Sequence, residues 1–140
     1  MLKSYPDIRQ LPNRIGVLVA PWSQSFQIGR HVYNLYLKPG YTTDGASIPR
    51  LLWPICGCPH DAPRNIAALV HDWLYAAQVT DRRTADRIYL ETLVAVGFPY
   101  HLALAEYYAL RCFGWIAWHH RVTAQDRSFA LDRGVLTIIG

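Results

Sequence analysis

Lysine is nearly missing from this chain of 140 residues: Lys3 and Lys38 stand among 14 basic side chains, and the rest are arginine. Cysteine occurs three times (Cys56, Cys58, Cys112). So small and odd a count excludes a disulfide scaffold and fits a reducing compartment, with the thiols packed as small hydrophobes. No run of about 18 uncharged apolar residues exists, which excludes a membrane-spanning helix. The most apolar stretch, 102–118, is broken by Glu106 and Arg111. No long apolar segment stands behind the charge of the first six residues, so no secretory signal peptide is read there. Acids are also few, 10 against 14 bases, for a net charge of +4. The arginines are scattered, with only Arg82 and Arg83 adjacent, so they read as solvated surface and nucleic acid is not an expected partner. Internal repeats and low-complexity segments are absent.

What is present is apolar material: 51% of the residues are hydrophobic. That supports one domain with one core over 1–140, β-rich over 1–50, helical over 61–120, with a tail over 121–140. Residues 1–13 carry Pro6 and Pro12 and read as an irregular lead-in. A β-branched run over 14–20 predicts a strand ended by Pro21. Apolar and polar residues alternate over 22–28 and again over 31–37, predicting two half-buried strands of a small antiparallel sheet. Asp44-Gly45 is a strong turn dipeptide in the loop that follows.

Three helices are predicted next. The first is capped at Asp61 and reaches about Gln78, with Ala67, Val70 and Leu74 at helical spacing. The second is capped by Thr80 or Asp81 and ends near Gly97. The third runs from Pro99 to about His120, with Leu102, Ala105, Tyr108, Cys112 and Trp115 on one stripe. Tyr107, Tyr108, Trp115 and Trp118 are expected mainly in the core, with part of the stripe left for a protein partner. Val135–Ile139 predicts a late strand returning to the sheet. Strands first and helices after make an α+β fold.

The chemistry concentrates on His71, Asp72, Tyr75 and Asp86. His71 and Tyr75 are four residues apart and share a helix face, while Asp72 points about 100° further round. Asp86 opens the inward stripe of the second helix, with Tyr89, Leu90 and Leu93, and a buried acid needs a partner. The imidazole on the preceding helix is the nearest candidate. In a functional reading His71 is a general base, Asp86 fixes its tautomer, Tyr75 supports the pair and Asp72 ligates a cation. In a structural reading the same groups tie two helices together. Asp44 and Ser47 either extend the site or bond only their own turn. Cys56, Cys58 and His60 supply too few ligands for a structural zinc. His119 and His120 suit the C-terminal dipole of the third helix.

The run Pro63-Arg-Asn-Ile-Ala-Ala-Leu-Val-His-Asp-Trp-Leu-Tyr75, followed by Ala85-Asp86, resembles the helix pair of phospholipase A2, notably its viral-capsid and bacterial types. The resemblance implies that His71 activates water, Asp72 binds calcium or another divalent cation, Asp86 orients His71 and Tyr75 supports the network. That family's glycine-rich Tyr-x-Gly-x-Gly calcium loop has no counterpart in this string.

Most of the chain is similar to a phage and prophage family, domain of unknown function 1353. Thr43-Asp-Gly-Ala-Ser-Ile-Pro-Arg50, Ala68–Tyr75, Arg83-Thr-Ala-Asp86 and Phe113-Gly-Trp115 carry that resemblance, which brings Asp44, Gly45, Ser47 and Arg83 into the pattern. Two functions remain open. One is a divalent-metal-assisted hydrolase of an ester or lipid, with Asp72 and Asp44 as metal ligands. The other is a non-enzymatic virion, tail or assembly protein, whose partners are other phage proteins. Either is expected in the host cytoplasm on synthesis, or in a virion, and not secreted.

Overall fold

Alternation of apolar and polar residues produces two three-stranded antiparallel sheets in the computed structural model, which describes residues 2–12, 15–43 and 64–140. Strands β1 (Ile8–Leu11), β2 (Ile15–Leu18) and β5 (Thr42–Thr43) form one sheet in the order β1-β2-β5. Strands β3 (Trp22–Ile28), β4 (His31–Leu37) and β6 (Gly134–Ile138) form the other, in the order β3-β4-β6. β3 and β4 have the bounds their alternation predicts, and they bury Trp22, Phe26, Tyr33, Leu35 and Leu37. Gly29 takes φ +63° in the turn between them, the left-handed conformation that glycine adopts without a Cβ penalty. The predicted late strand is β6, which pairs with β4 through Leu35 opposite Leu136.

Three expectations for the ends of the chain are corrected. The lead-in is not wholly irregular, because β1 pairs with β2. It buries little on either face, so it has no alternation to read. The strand expected over 14–20 is described as Ile15–Leu18. The tail contains a further helix, giving four α-helices among the described residues in place of three. Its apolar residues Phe129, Ala130 and Leu131 are consecutive and show no helical period. The capping box of Thr123 and Asp126 is the signal that marks its start.

The helices are α1 (Arg64–Ala77), α2 (Arg82–Ala95), α3 (Tyr100–Ile116) and α4 (Ala124–Asp132), with a π-helical turn over Ala117–Arg121. α1 is the central element and is buried on nearly every side. Leu69, Val70, Trp73 and Leu74 share a core with Leu18, Leu35 and Leu37 of the sheets. On its other side, Ala67 joins Tyr89, Leu90 and Leu93 of α2 and Ala103, Tyr107 and Leu110 of α3. The Trp73 indole N–H donates to the Ala130 carbonyl at 2.8 Å, which fixes α4 against α1.

α3 is turned opposite to its predicted orientation. Ala103, Glu106, Tyr107, Leu110 and Gly114 are buried, while Leu102, Ala105, Tyr108, Cys112 and Trp115 face solvent. Both stripes have helical spacing, so periodicity does not choose between them. Glu106 chooses, because its carboxylate is buried and paired. Of the aromatics expected in the core, Tyr107 is there, Trp118 is half-buried, and Tyr108 and Trp115 are exposed. Cys112 is likewise exposed and not packed inside.

Candidate functional site

His71, Asp72 and Tyr75 sit in the middle and last turns of α1, and Asp86 sits in the second turn of α2. α2 starts where it does because Asp81 caps it, its carboxylate accepting from the Thr84 N–H and hydroxyl. From that start Ala85, Tyr89 and Leu93 carry Asp86 inward, and both His71 and Asp86 are fully buried. The predicted pair is formed: His71 Nε2 lies 2.9 Å from Asp86 Oδ1. The Tyr75 hydroxyl donates to the same oxygen at 2.6 Å. The Tyr75 ring stacks at a tilt on the imidazole, with centroids 4.0 Å apart.

The second oxygen of Asp86 is held by two guanidinium groups, Arg111 at 2.8 Å and Arg82 at 3.3 Å. Arg82 also donates to the Leu110 carbonyl at 2.8 Å, bracing the inner face of α3. Burial pushes the Asp86 pKa upward, but hydrogen bonds from His71, Tyr75 and Arg111 outweigh it. The carboxyl is held below its ordinary range and is ionised at neutral pH. Tyr75 shifts the other way: burial and then the Asp86 charge push its phenol far above the usual range, so it stays a donor.

A cleft of about 280 Å³ lies in front of this cluster. Asp72, Tyr75, Thr43, Arg121 and Asp126 line it, together with the π-helical turn at Ala117. Such turns are frequent at functional sites. Asp72 is half-buried, and its carboxylate accepts from the Thr43 hydroxyl. His71 does not line the cleft; Tyr75 connects the two, with its ring at the wall and its hydroxyl on Asp86.

A second buried network lies behind the first. Arg64 meets Glu106 through two hydrogen bonds, 3.1 and 2.6 Å, and the Tyr89 hydroxyl donates to Glu106 at 2.8 Å. Burial raises the Glu106 pKa against those stabilising contacts.

The structure thus gathers His71, Tyr75 and Asp86, and sets Asp72 apart at the cleft. Arg83 is exposed at the start of α2, and its neighbour Arg82 is the one that reaches Asp86. Asp44, Gly45, Ser47, Cys56, Cys58, His60 and the Asp61 cap lie outside the described residues. Among the described residues, no three His, Cys, Asp or Glu side chains are gathered as a metal-ion group. Sequence reasoning missed Arg82, Arg111 and Gly114. Arg82 had a signal, its position four residues before Asp86 on one helix face. Arg111 comes from another helix and had none, and Gly114 stood only within the Phe113-Gly-Trp115 motif, with no role assigned to it. A Cβ at Gly114 would collide with the Tyr75 hydroxyl and press on Arg82 at 3.1 Å, so glycine lets α3 close over the cluster.

No solved structure matches the chain. An uncharacterised protein y4iH of Sinorhizobium fredii (strain NBRC 101917 / NGR234) is 38% identical over 72 residues. That match takes in 51% of this chain and 30% of the relative. The family described as "Protein of unknown function (DUF1353)" matches residues 22–110, a span that holds His71, Asp72, Tyr75, Arg82 and Asp86. With well over half of its length inside that span, the chain belongs to the DUF1353 family.

Proposed function

We propose that the chain is a hydrolase of esters, lipid esters among them, with His71 as general base. The observation that carries this reading is the single Asp86 oxygen shared by His71 Nε2 at 2.9 Å and the Tyr75 hydroxyl at 2.6 Å, beside a cleft. An ionised Asp86 favours the tautomer with its proton on Nε2. In this reading the other ring nitrogen, Nδ1, takes the proton of a water admitted past Tyr75, which lines the cleft where His71 does not, and the oxygen of that water attacks the ester carbonyl. The imidazolium so formed is stabilised by Asp86 and returns the proton to the departing alcohol. Tyr75 holds the carboxylate in place from the cleft side.

A metal ion does not enter that sequence of steps. Calcium takes six to eight oxygen ligands. Among the described residues the cleft offers the carboxylates of Asp72 and Asp126 and the Thr43 hydroxyl, fewer side-chain donors than such a shell takes. Calorimetric titration with calcium, zinc and manganese, with Asp72→Asn as control, tests whether Asp72 with Asp44 binds one. Saturable binding lost in the variant establishes the metal.

A second reading, a non-enzymatic virion, tail or assembly protein of a phage, draws support from the full burial of His71 and from the four donors on Asp86. Its phage origin rests on the resemblance of the motifs alone. One variant separates the readings. In the enzyme, the parent protein hydrolyses chromogenic short-chain esters or phospholipid vesicles and His71→Gln abolishes that hydrolysis while the variant is still folded. In the structural network it removes about 1–3 kcal/mol of stability, and the parent protein hydrolyses nothing.

A further inference from the structure

The charges around Asp86 do not balance. Arg82 and Arg111 both donate to its Oδ2, at 3.3 and 2.8 Å, so one carboxylate serves two guanidinium groups from different helices. The same carboxylate also holds His71 and Tyr75 through its other oxygen. Among the described residues no second acidic side chain pairs with either arginine. Asp81, next to Arg82 in the chain, is engaged by Thr84 as the cap of α2. The two arginines differ in what else they reach. Arg82 completes its set on the Leu110 and Arg111 carbonyls, at 2.8 and 3.3 Å. Arg111 has five N–H groups, and among the described residues it makes a single hydrogen bond, to Asp86. Its side chain is 30% accessible and that of Arg82 is 18%. The surplus positive charge is therefore partly withdrawn from water, where a counter-ion is favoured.

We infer that Arg111, with Arg82 beside it, binds a phosphate group at the junction of α2 and α3. A guanidinium presents its donors in a rigid fork that matches phosphate oxygens two at a time. Asp86 occupies one N–H of the Arg111 fork, and the remaining donors are those an outer anion meets. A phosphate group holds its oxygens in a tetrahedron and so takes donors from two helices at once, where a carboxylate offers two oxygens in one plane. Charge alternates in the resulting order: carboxylate, guanidinium pair, phosphate. Neither arginine is among the described residues that line the cleft. The anion site is thus separate from the ester pocket and does not depend on the hydrolase reading.

Isothermal titration calorimetry of the full chain with inorganic phosphate tests it, at low salt because screening weakens such contacts. The parent protein should bind saturably, with a Kd of about 1 mM. Arg111→Gln should weaken that binding by about tenfold or more. Arg83→Gln removes the same charge from the exposed neighbour of Arg82 and should leave binding within about twofold. Arg111→Lys keeps the ion pair with Asp86 and loses the fork, so it should weaken phosphate by several-fold; it keeps the test decisive if the glutamine variant fails to fold. With phosphate bound, cosedimentation with phosphatidylglycerol vesicles that is lost in Arg111→Gln assigns the group to a lipid headgroup, and no cosedimentation assigns it to a soluble ligand. Three results overturn the inference: no saturable binding by about 20 mM phosphate, equal loss in the Arg83→Gln and Arg111→Gln variants, or acetate bound as tightly as phosphate.

Discussion

Asp86 takes four donors on two oxygens, one oxygen shared by imidazole and phenol, the other by two guanidinium groups. Removing the charge leaves two partly exposed guanidinium groups, a buried imidazole and a phenol facing a neutral amide. Asp86→Asn should therefore cost about 3–5 kcal/mol in urea unfolding. The pH dependence follows from the same contacts. The folded pKa of Asp86 lies below its unfolded value, so its contribution is present above about pH 4 and is lost as pH falls through the folded value. Tyr75 has a raised folded pKa, so its contribution is present below about pH 10 and is lost as pH rises toward that folded value. Thermal melts across pH should show Asp86→Asn flattening the acid limb and Tyr75→Phe flattening the alkaline one. At this scale the His71–Asp86 pair was legible, because an acid heading an apolar stripe has to find a partner. The two arginines were not equally so: Arg82 lies one turn from Asp86 on the same helix, whereas Arg111 reaches it from α3.

Among the elements, α3 shows how spacing can specify a helix and leave its rotation undecided. Two apolar stripes run along it, and tertiary partners select which one is buried. Glu106 must face Arg64 and Tyr89, and Gly114 must pass against Tyr75 and Arg82. Gly114→Ala should push α3 away from Tyr75 and cost about 1–3 kcal/mol as an overpacked contact, measured by chemical unfolding. If the hydrolase reading holds, that variant should also lose activity, because Tyr75 fixes the orienting carboxylate. The strands were easier to read. β3 and β4 alternate cleanly because each has one face on the core and one in water.

For the molecule as a whole, the last strand closes a sheet begun near the N-terminus, with Gly134 opposite Leu37 and Ile138 opposite Tyr33. Deleting residues 134–140 should strip β4 of that partner and expose Leu37 and Leu35. The expected result is loss of a cooperative melting transition, read by far-ultraviolet circular dichroism. The family membership adds a shared pattern over 22–110, and hydrolysis assays with His71→Gln decide what that pattern does.

By itself the sequence determined the α+β order, the bounds of the central hairpin, the inward faces of α1 and α2, and the meeting of His71 with Asp86. Those depend on local period, on caps, and on the cost of burying an acid alone, all of which are written within a few turns of chain. Only the tertiary structure decided the rotation of α3, the reach of Arg111 to Asp86, the glycine beneath Tyr75 and the cleft in front of it. Each of these joins residues far apart in the chain, and such a contact leaves no mark on the spacing of either partner.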